Sequence, residues 1–203
     1  MRRAGRRDPL AEWTPPSFRF DQETHTYTDL VTGKEIAHIT GILTRAGKID
    51  DRWWTDEDSE RGSAVHALTA QYDLGALDVP ACVSTYRGWL LGYVKAMSMM
   101  RPEWLHVEEP FVLDRPRFGG RPDRVGKLYG AYSILEIKSG APKPADMLQT
   151  ALQALLVAPI IRLPAEGIVR YAGYFKNSGK FKVEMHTNRS DFYEVRDILA
   201  RFT

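Results

Sequence analysis

Asp123, Glu136 and Lys138 are the residues whose types and spacing carry the clearest chemistry, in the stretch Gly120-Arg121-Pro122-Asp123 followed by Glu136-Ile137-Lys138. In an extended strand alternate side chains point to opposite faces, so Glu136 and Lys138 share one face while Ile137 packs behind them. Ser133-Ile134-Leu135-Glu136-Ile137-Lys138 is apolar like a buried strand and turns charged only at its end. Charges in such a place are costly unless they pair or hold a metal. A neighbouring strand over residues 119–125 would bring the Asp123 carboxylate alongside. Two carboxylates and one ammonium around a point suit metal-assisted hydrolysis of a phosphodiester. Taken alone, Glu-x-Lys fits a solvated strand face equally well.

Two further segments fall in an order that adds to this. Upstream, Thr55 with Asp58 three residues on reads as a capping box, and Gly75 as a stop, which predicts a helix over residues 56–74. Val65, Leu68 and Tyr72 form its apolar stripe, with His66 at the edge, either a core histidine or a ligand. Gly62 costs about 1 kcal/mol relative to alanine inside a helix, which predicts close packing there. Downstream, residues 147–157 form a mostly apolar helix carrying Gln149 and Gln153 four apart on one face. Buried amides need partners: backbone carbonyls, the lysine, or phosphates.

In this order the motifs Arg61-Gly62…His66, Gly120…Asp123, Glu136-Ile137-Lys138-Ser139-Gly140 and Leu148-Gln149-Thr150-Ala151 resemble the PD-(D/E)XK nuclease superfamily. The chain is most similar to the RecB-like exonuclease branch, including small stand-alone phage and prophage enzymes. The likeness spans residues 39–157, and His25-x-Tyr27, Ile39-Thr40-Gly41-Ile42-Leu43 and Trp53-Trp54 extend it. It implies that His66, Asp123 and Glu136 ligate Mg²⁺ or Mn²⁺, one or two ions, with the Ile137 carbonyl as a further contact. It also implies that Lys138 orients or activates the attacking water and that Gln149 holds this lysine and the DNA backbone. Asp123, Glu136 and Lys138 are thus the expected catalytic residues. Two departures stand out. Gln153 occupies the position usually held by tyrosine, and a lone Cys82 excludes the four-cysteine iron–sulfur cluster of some members.

An oxygen-rich set with one imidazole suits Mg²⁺ or Mn²⁺, and the five scattered histidines give no zinc spacing. Glu108 and Glu109 adjoin the first strand of the core, and either fits a metal-facing position, Glu109 being the candidate ligand of the two. Arg61, Arg121, Arg124, Gln149, Gln153 and Lys176 are candidate DNA contacts, and each arginine fits a surface ion pair equally. Lys176, Lys180 and Lys182 cluster with Tyr174 and Phe175, a mixture suited to backbone charge plus base stacking. Trp53 and Trp54 suit either a wedge at a DNA end or core packing.

Composition sets the outer bounds. With 203 residues, 43% hydrophobic and 27% charged, the chain fits one domain over 17–203 after a basic tail over 1–16. Net charge is +2, so any basic surface for DNA is local. One cysteine fits a reducing cytoplasm, and the longest apolar run, 154–161, is far too short for a membrane span. The arginine-rich start has no apolar stretch behind it and does not read as a signal peptide.

The pattern predicts a hairpin of residues 18–27 and 35–39 around Thr32-Gly33, a short helix capped by Thr40, and helices over 56–74 and 83–100. The second of these carries Tyr86, Leu90, Tyr93 and Met97 on one apolar face. Strands over 107–113, 119–125 and 132–138 follow, then the Gln149 helix, a hairpin of 168–175 and 180–186, and a closing helix capped by Ser190. The expected fold is α/β, a mixed central sheet flanked by helices, with an N-terminal hairpin and helical extension; the resemblance makes its core restriction-endonuclease-like. The expected function is a metal-dependent DNA nuclease, an exonuclease by resemblance, in phage, prophage or bacterial DNA recombination, repair or degradation. A homo-oligomer or a recombination partner protein is compatible with it. A catalytically silent DNA-binding or assembly subunit, or a structure-specific endonuclease, are the alternatives.

Overall fold

The computed structural model describes residues 17–50, 52 and 55–202; the arginine-rich tail and the Trp53-Trp54 pair lie outside the described residues. Residues 18–27 do not form one strand. The Asp21 carboxylate accepts the N–H groups of Glu23 and Thr24 at 3.0 and 2.9 Å, which closes a turn between β1 (Phe18–Asp21) and β2 (Thr26–Asp29). With β3 (Glu35–Ile36) they make a three-stranded antiparallel sheet in the order β1-β2-β3. The cap of α1 (Ile39–Arg45) is His38 rather than Thr40: His38 is extended and its Nδ1 accepts from the Gly41 N–H at 3.4 Å.

The reciprocal Thr55–Asp58 bonds cap α2 (Asp56–Asp73), and Gly75 follows its end at φ +69°. Gly62 does not mark close packing, since a Cβ there would meet nothing within 4 Å. The next helix is shorter than its pattern, because the Ser84 hydroxyl accepts from the Tyr86 N–H and holds a turn that delays α3 (Arg87–Met100). Tyr86 thus lies just before α3, while Leu90, Tyr93 and Met97 are buried.

Two interruptions divide the expected three strands into five. Glu108 takes a left-handed backbone (φ +51°) ahead of Pro110, separating β4 (Glu103–Val107) from β5 (Phe111–Leu113). Pro122 has no N–H for the ladder and separates β6 (Phe118–Gly120) from β7 (Arg124–Leu128). The charged-end strand is β8 (Ala131–Lys138), followed by α4 (Ala145–Ile161), β9 (Val169–Phe175), β10 (Phe181–Met185) and α5 (Ser190–Phe202). Ser190 opens α5, and its N–H is taken by the Asn188 side chain, so the stabilising side chain comes from upstream of Ser190.

The main sheet runs β10-β9-β8-β7-β4, with β8 and β9 parallel through the α4 crossover and the other neighbours antiparallel. The fold is therefore α/β, a mixed five-stranded sheet flanked by helices. Alternation along β8 divides the core in two. Ile134 joins Val125 in packing against α1, α4 and α5, whereas Leu135 and Ile137 pack with Val65 of α2 and Tyr93, Ala96 and Met97 of α3. Each such aliphatic side chain contributes about 1.5–3 kcal/mol by leaving water. Gly88 lets the β9–β10 turn sit directly on α3, since a Cβ at that position would lie 1.7 Å from the Asn177 carbonyl oxygen. Among the described residues no helix is long and apolar enough to cross a membrane.

Candidate metal centre

Strand direction gathers the chemistry at one end of the sheet. The Val107↔Arg124 and Arg124↔Leu135 pairings put the end of β4, the start of β7 and the end of β8 together. Asp123 just precedes β7 and Glu108 just follows β4, with the Glu108 N–H donating to the Asp123 carbonyl at 3.0 Å. Asp123 is also tied to β8: its Oδ2 accepts the Ile137 N–H at 2.5 Å, which fixes the carboxylate at the strand end. The Ile137 side chain is buried on the opposite face, as alternation requires.

Across from these residues α2 supplies His66. Its Nδ1 lies 3.1 Å from Glu108 Oε1 and 3.2 Å from Asp123 Oδ1, and one donor atom from each of the three falls within 4.8 Å of the others. The side chains are partly sealed, His66 at 27%, Glu108 at 16% and Asp123 at 6% exposure. Of the Glu108-Glu109 pair it is Glu108 that faces inward. Glu109 turns away to His106, with Oε2 2.5 Å from Nδ1. Glu108 also takes a left-handed backbone, which neither composition nor periodicity encodes.

Glu136 stands beside this group, held by its own set of donors. The Lys138 ammonium and the Gln149 amide donate to Oε1 at 3.0 and 2.6 Å, and the Gln153 amide donates to Oε2 at 2.6 Å. Lys138 also donates to Gln149 Oε1 at 2.8 Å and sits 3.6 Å from Asp146 Oδ1. Asp146, absent from the sequence reading, is buried and accepts from the Tyr174 hydroxyl and the Lys143 N–H at 2.9 and 2.8 Å.

The charges explain the protonation states. Burial opposes protonation of His66, but Asp123 and then Glu108 outweigh it, and the imidazole keeps its proton well above the usual histidine range. Burial, then the Asp123 carboxylate, raise the Glu136 pKa; Lys138 and the Gln153 hydrogen bond pull it back. Burial works against the charged form of Lys138, yet Glu136 and Asp146 raise its pKa and hold it as an ammonium. An imidazolium clasped by two carboxylates marks a point where positive charge is favoured. One nitrogen and two carboxylate oxygens fit a Mg²⁺ or Mn²⁺ ion, with the imidazole leaning toward Mn²⁺.

The candidate DNA contacts divide. Arg124 is 0% exposed and cannot reach a phosphate in solution. It donates to Asp73 Oδ2 at 2.5 Å, Glu108 Oε1 at 3.1 Å, the Asp123 carbonyl at 2.6 Å and the Thr69 hydroxyl at 3.0 Å. Desolvation opposes its charge, but Tyr93, Asp73 and Asp123 more than compensate, and its pKa rises. Gln153 is likewise buried against Glu136 and offers DNA no surface. Tyr174 and Phe175 are buried, so no base stacks on them, and Lys182 pairs with Glu184. Lys176 is exposed, Gln149 is bound between Glu136 and Lys138, and Arg61 is half-buried against Asp58. Arg121 lies at the rim of the centre, its Nε 3.3 Å from Glu108 Oε2. No protein-family model matches this chain, and no curated protein is significantly similar to it.

Proposed function

We propose that the chain is a divalent-metal-dependent DNA nuclease on a restriction-endonuclease-like core, an exonuclease of the RecB-like kind its motifs resemble. The observation that carries the reading is the convergence of the His66, Glu108 and Asp123 donors at the sheet end that also bears Lys138. A purely structural charge cluster has no need of a partly exposed imidazole between two carboxylates with an anchored ammonium beside it.

His66, Glu108 and Asp123 would hold the ion, with Glu136 and the Ile137 carbonyl bordering it. When bound, the ion supplies positive charge for the phosphoryl oxygens and lowers the pKa of water. The chain does the rest. Lys138 carries a fixed positive charge to the side of the reacting phosphate, where negative charge grows in the transition state. Glu136 and Gln149 hold the ammonium in one place, so little reorganisation accompanies the reaction. The Asp123–Ile137 bond keeps its carboxylate from swinging out.

The test is incubation of end-labelled linear and closed circular DNA, single- and double-stranded, with Mg²⁺ or Mn²⁺. Degradation of linear DNA alone, lost in Lys138→Ala, is the expected result. Cutting of circles would make the protein an endonuclease. Absence of cleavage in either metal, alongside retained DNA binding, would favour a silent nucleic-acid-binding subunit.

A further inference from the structure

His25 occupies the turn between β1 and β2 with a left-handed backbone, φ +55°. A residue with a Cβ enters that region at a cost and stays only where its surroundings hold it. The Asp21 carboxylate closes the turn, and the His25 ring lies 6.1 Å from that of Phe20, centroid to centroid. Arg121 uses the same ring, with its guanidinium carbon 5.5 Å from the Phe20 centroid. From there Arg121 reaches Glu108 Oε2 at 3.3 Å, and the other oxygen of Glu108 is 3.1 Å from His66. Contacts thus run unbroken from an exposed histidine, across an aromatic ring and a guanidinium, to the metal donors. His25 lies near enough to feel the charges of Arg121, Glu108 and His66. Among the described residues nothing hydrogen-bonds to the His25 ring, and Arg121 meets Glu108 through Nε with its side chain 21% exposed.

We propose that His25 and Arg121 form a subsite for a phosphodiester neighbouring the one that is cut, with Phe20 as the ledge that sets both. The carboxylates of the centre repel an anionic strand, and a cation and an imidazole N–H just beyond them offset that repulsion where the strand approaches. The terminal nitrogens of a guanidinium match the paired oxygens of a phosphate. Contacts away from the reacting bond hold substrate and transition state alike, so they act on KM rather than on kcat. The subsite rests on the nuclease reading for its ligand, yet its binding can be read without cleavage.

The experiment uses the full chain and a fluorescent single-stranded oligonucleotide. Affinity is measured by anisotropy in a Lys138→Ala background with Mn²⁺, and cleavage in the native background. His25→Gly keeps the left-handed turn and removes only an exposed ring; Arg121→Gln removes the charge. Each should weaken binding about tenfold, the effect of one lost charge-assisted contact. In the cleaving background His25→Gly should raise KM by about the same factor with kcat within about twofold, whereas Arg121→Gln also releases Glu108 and is read on KM and binding at saturating Mn²⁺. One methylphosphonate moved stepwise along the oligonucleotide should weaken native binding at a single linkage, and His25→Gly should lose nothing more there. If DNA is cut while both variants bind and turn over like the native protein, the subsite is overturned and the nuclease stands. If nothing is cut but binding depends on His25 and on one linkage, the subsite stands and the nuclease reading falls. Binding that ignores both residues and every methylphosphonate overturns the subsite whatever the cleavage result.

Discussion

Arg124 Nε donates to Asp73 Oδ2 at 2.5 Å, and neither side chain is open to solvent, at 0% and 4% exposure. This pair ties the end of α2 to the start of β7, the two elements that supply His66 and Asp123. The Tyr93 hydroxyl donates to the same Asp73 oxygen, also at 2.5 Å, and its ring lies under the guanidinium at 5.6 Å. Arg124 is thus the hub that joins α2, α3 and the sheet behind the candidate metal centre.

Removing that hub should be expensive. Arg124→Met leaves Asp73 buried without its cation and frees Glu108 from one of its two arginines. Breaking a buried pair from one side costs about 3–5 kcal/mol. Urea denaturation should show a loss in that range, and Mn²⁺ affinity should fall because Glu108 loses a contact that sets its position. A stability change under about 1 kcal/mol would mean that the pair carries no structural weight.

The His66 proton must leave before the imidazole can ligate an ion. Its folded-state pKa is raised above 6.5 by Asp123 and Glu108, which overcome the opposing effect of burial. Below that raised value the proton competes with metal, so affinity should fall about tenfold per pH unit as pH drops, and level off above it. Calorimetry of Mn²⁺ binding in two buffers of different ionisation enthalpy should count about one proton released per ion near neutrality. Zero release would remove His66 from the ligand set. Without metal the same proton stabilises the fold. That contribution is complete below about pH 6.5 and is lost as pH rises through the raised value.

Gln153 has a different signature. Its amide is the donor to Glu136 Oε2, and its own Oε1 is buried with no partner among the described residues. Gln153→Leu strips the buried carboxylate of that donor, at a cost of about 1–3 kcal/mol. The same hydrogen bond holds the Glu136 pKa down against burial and Asp123, so its removal should move the pKa higher. The acid limb of the cleavage profile should shift to higher pH in Gln153→Leu. An unmoved limb would separate Glu136 from the rate-determining protonation.

The sequence is informative where the chain's local chemistry is self-sufficient. β8 announces itself through an apolar run that ends in Glu136-Ile137-Lys138, and α2 through Thr55, Asp58 and Gly75. The closeness of Asp123 to the end of β8 follows from two adjacent strands. Four features escape because each is decided by distant residues or by backbone angles. Arg124 reads as a surface cation until Asp73, 51 positions earlier, is brought beneath it. Glu108 and Glu109 are alike in type, and they are told apart only by the folded chain, where Glu108 has the left-handed φ and meets His66 while Glu109 meets His106. Pro122 splits what periodicity takes for one strand, because the missing N–H matters only once a ladder partner exists. Asp146 hides for a similar reason: its role beside Lys138 depends on Tyr174, across the β8–β9 pair.

The pairing of Asp123 Oδ2 with the Ile137 N–H has a consequence on the clock of synthesis. A nascent chain that has emerged through residue 123 already holds His66, Glu108 and Asp123, yet the strand that anchors the last of these begins only at Ala131. Lys138 in turn finds Asp146 and Gln149 only after α4 has formed, and Asp146 finds Tyr174 only after β9 has closed the parallel pair. Parallel pairing waits on its crossover and forms late relative to local hairpins. The candidate donors are therefore all synthesised before the strand and helix that fix them, and the growing polypeptide carries the parts of the candidate centre before it can assemble them.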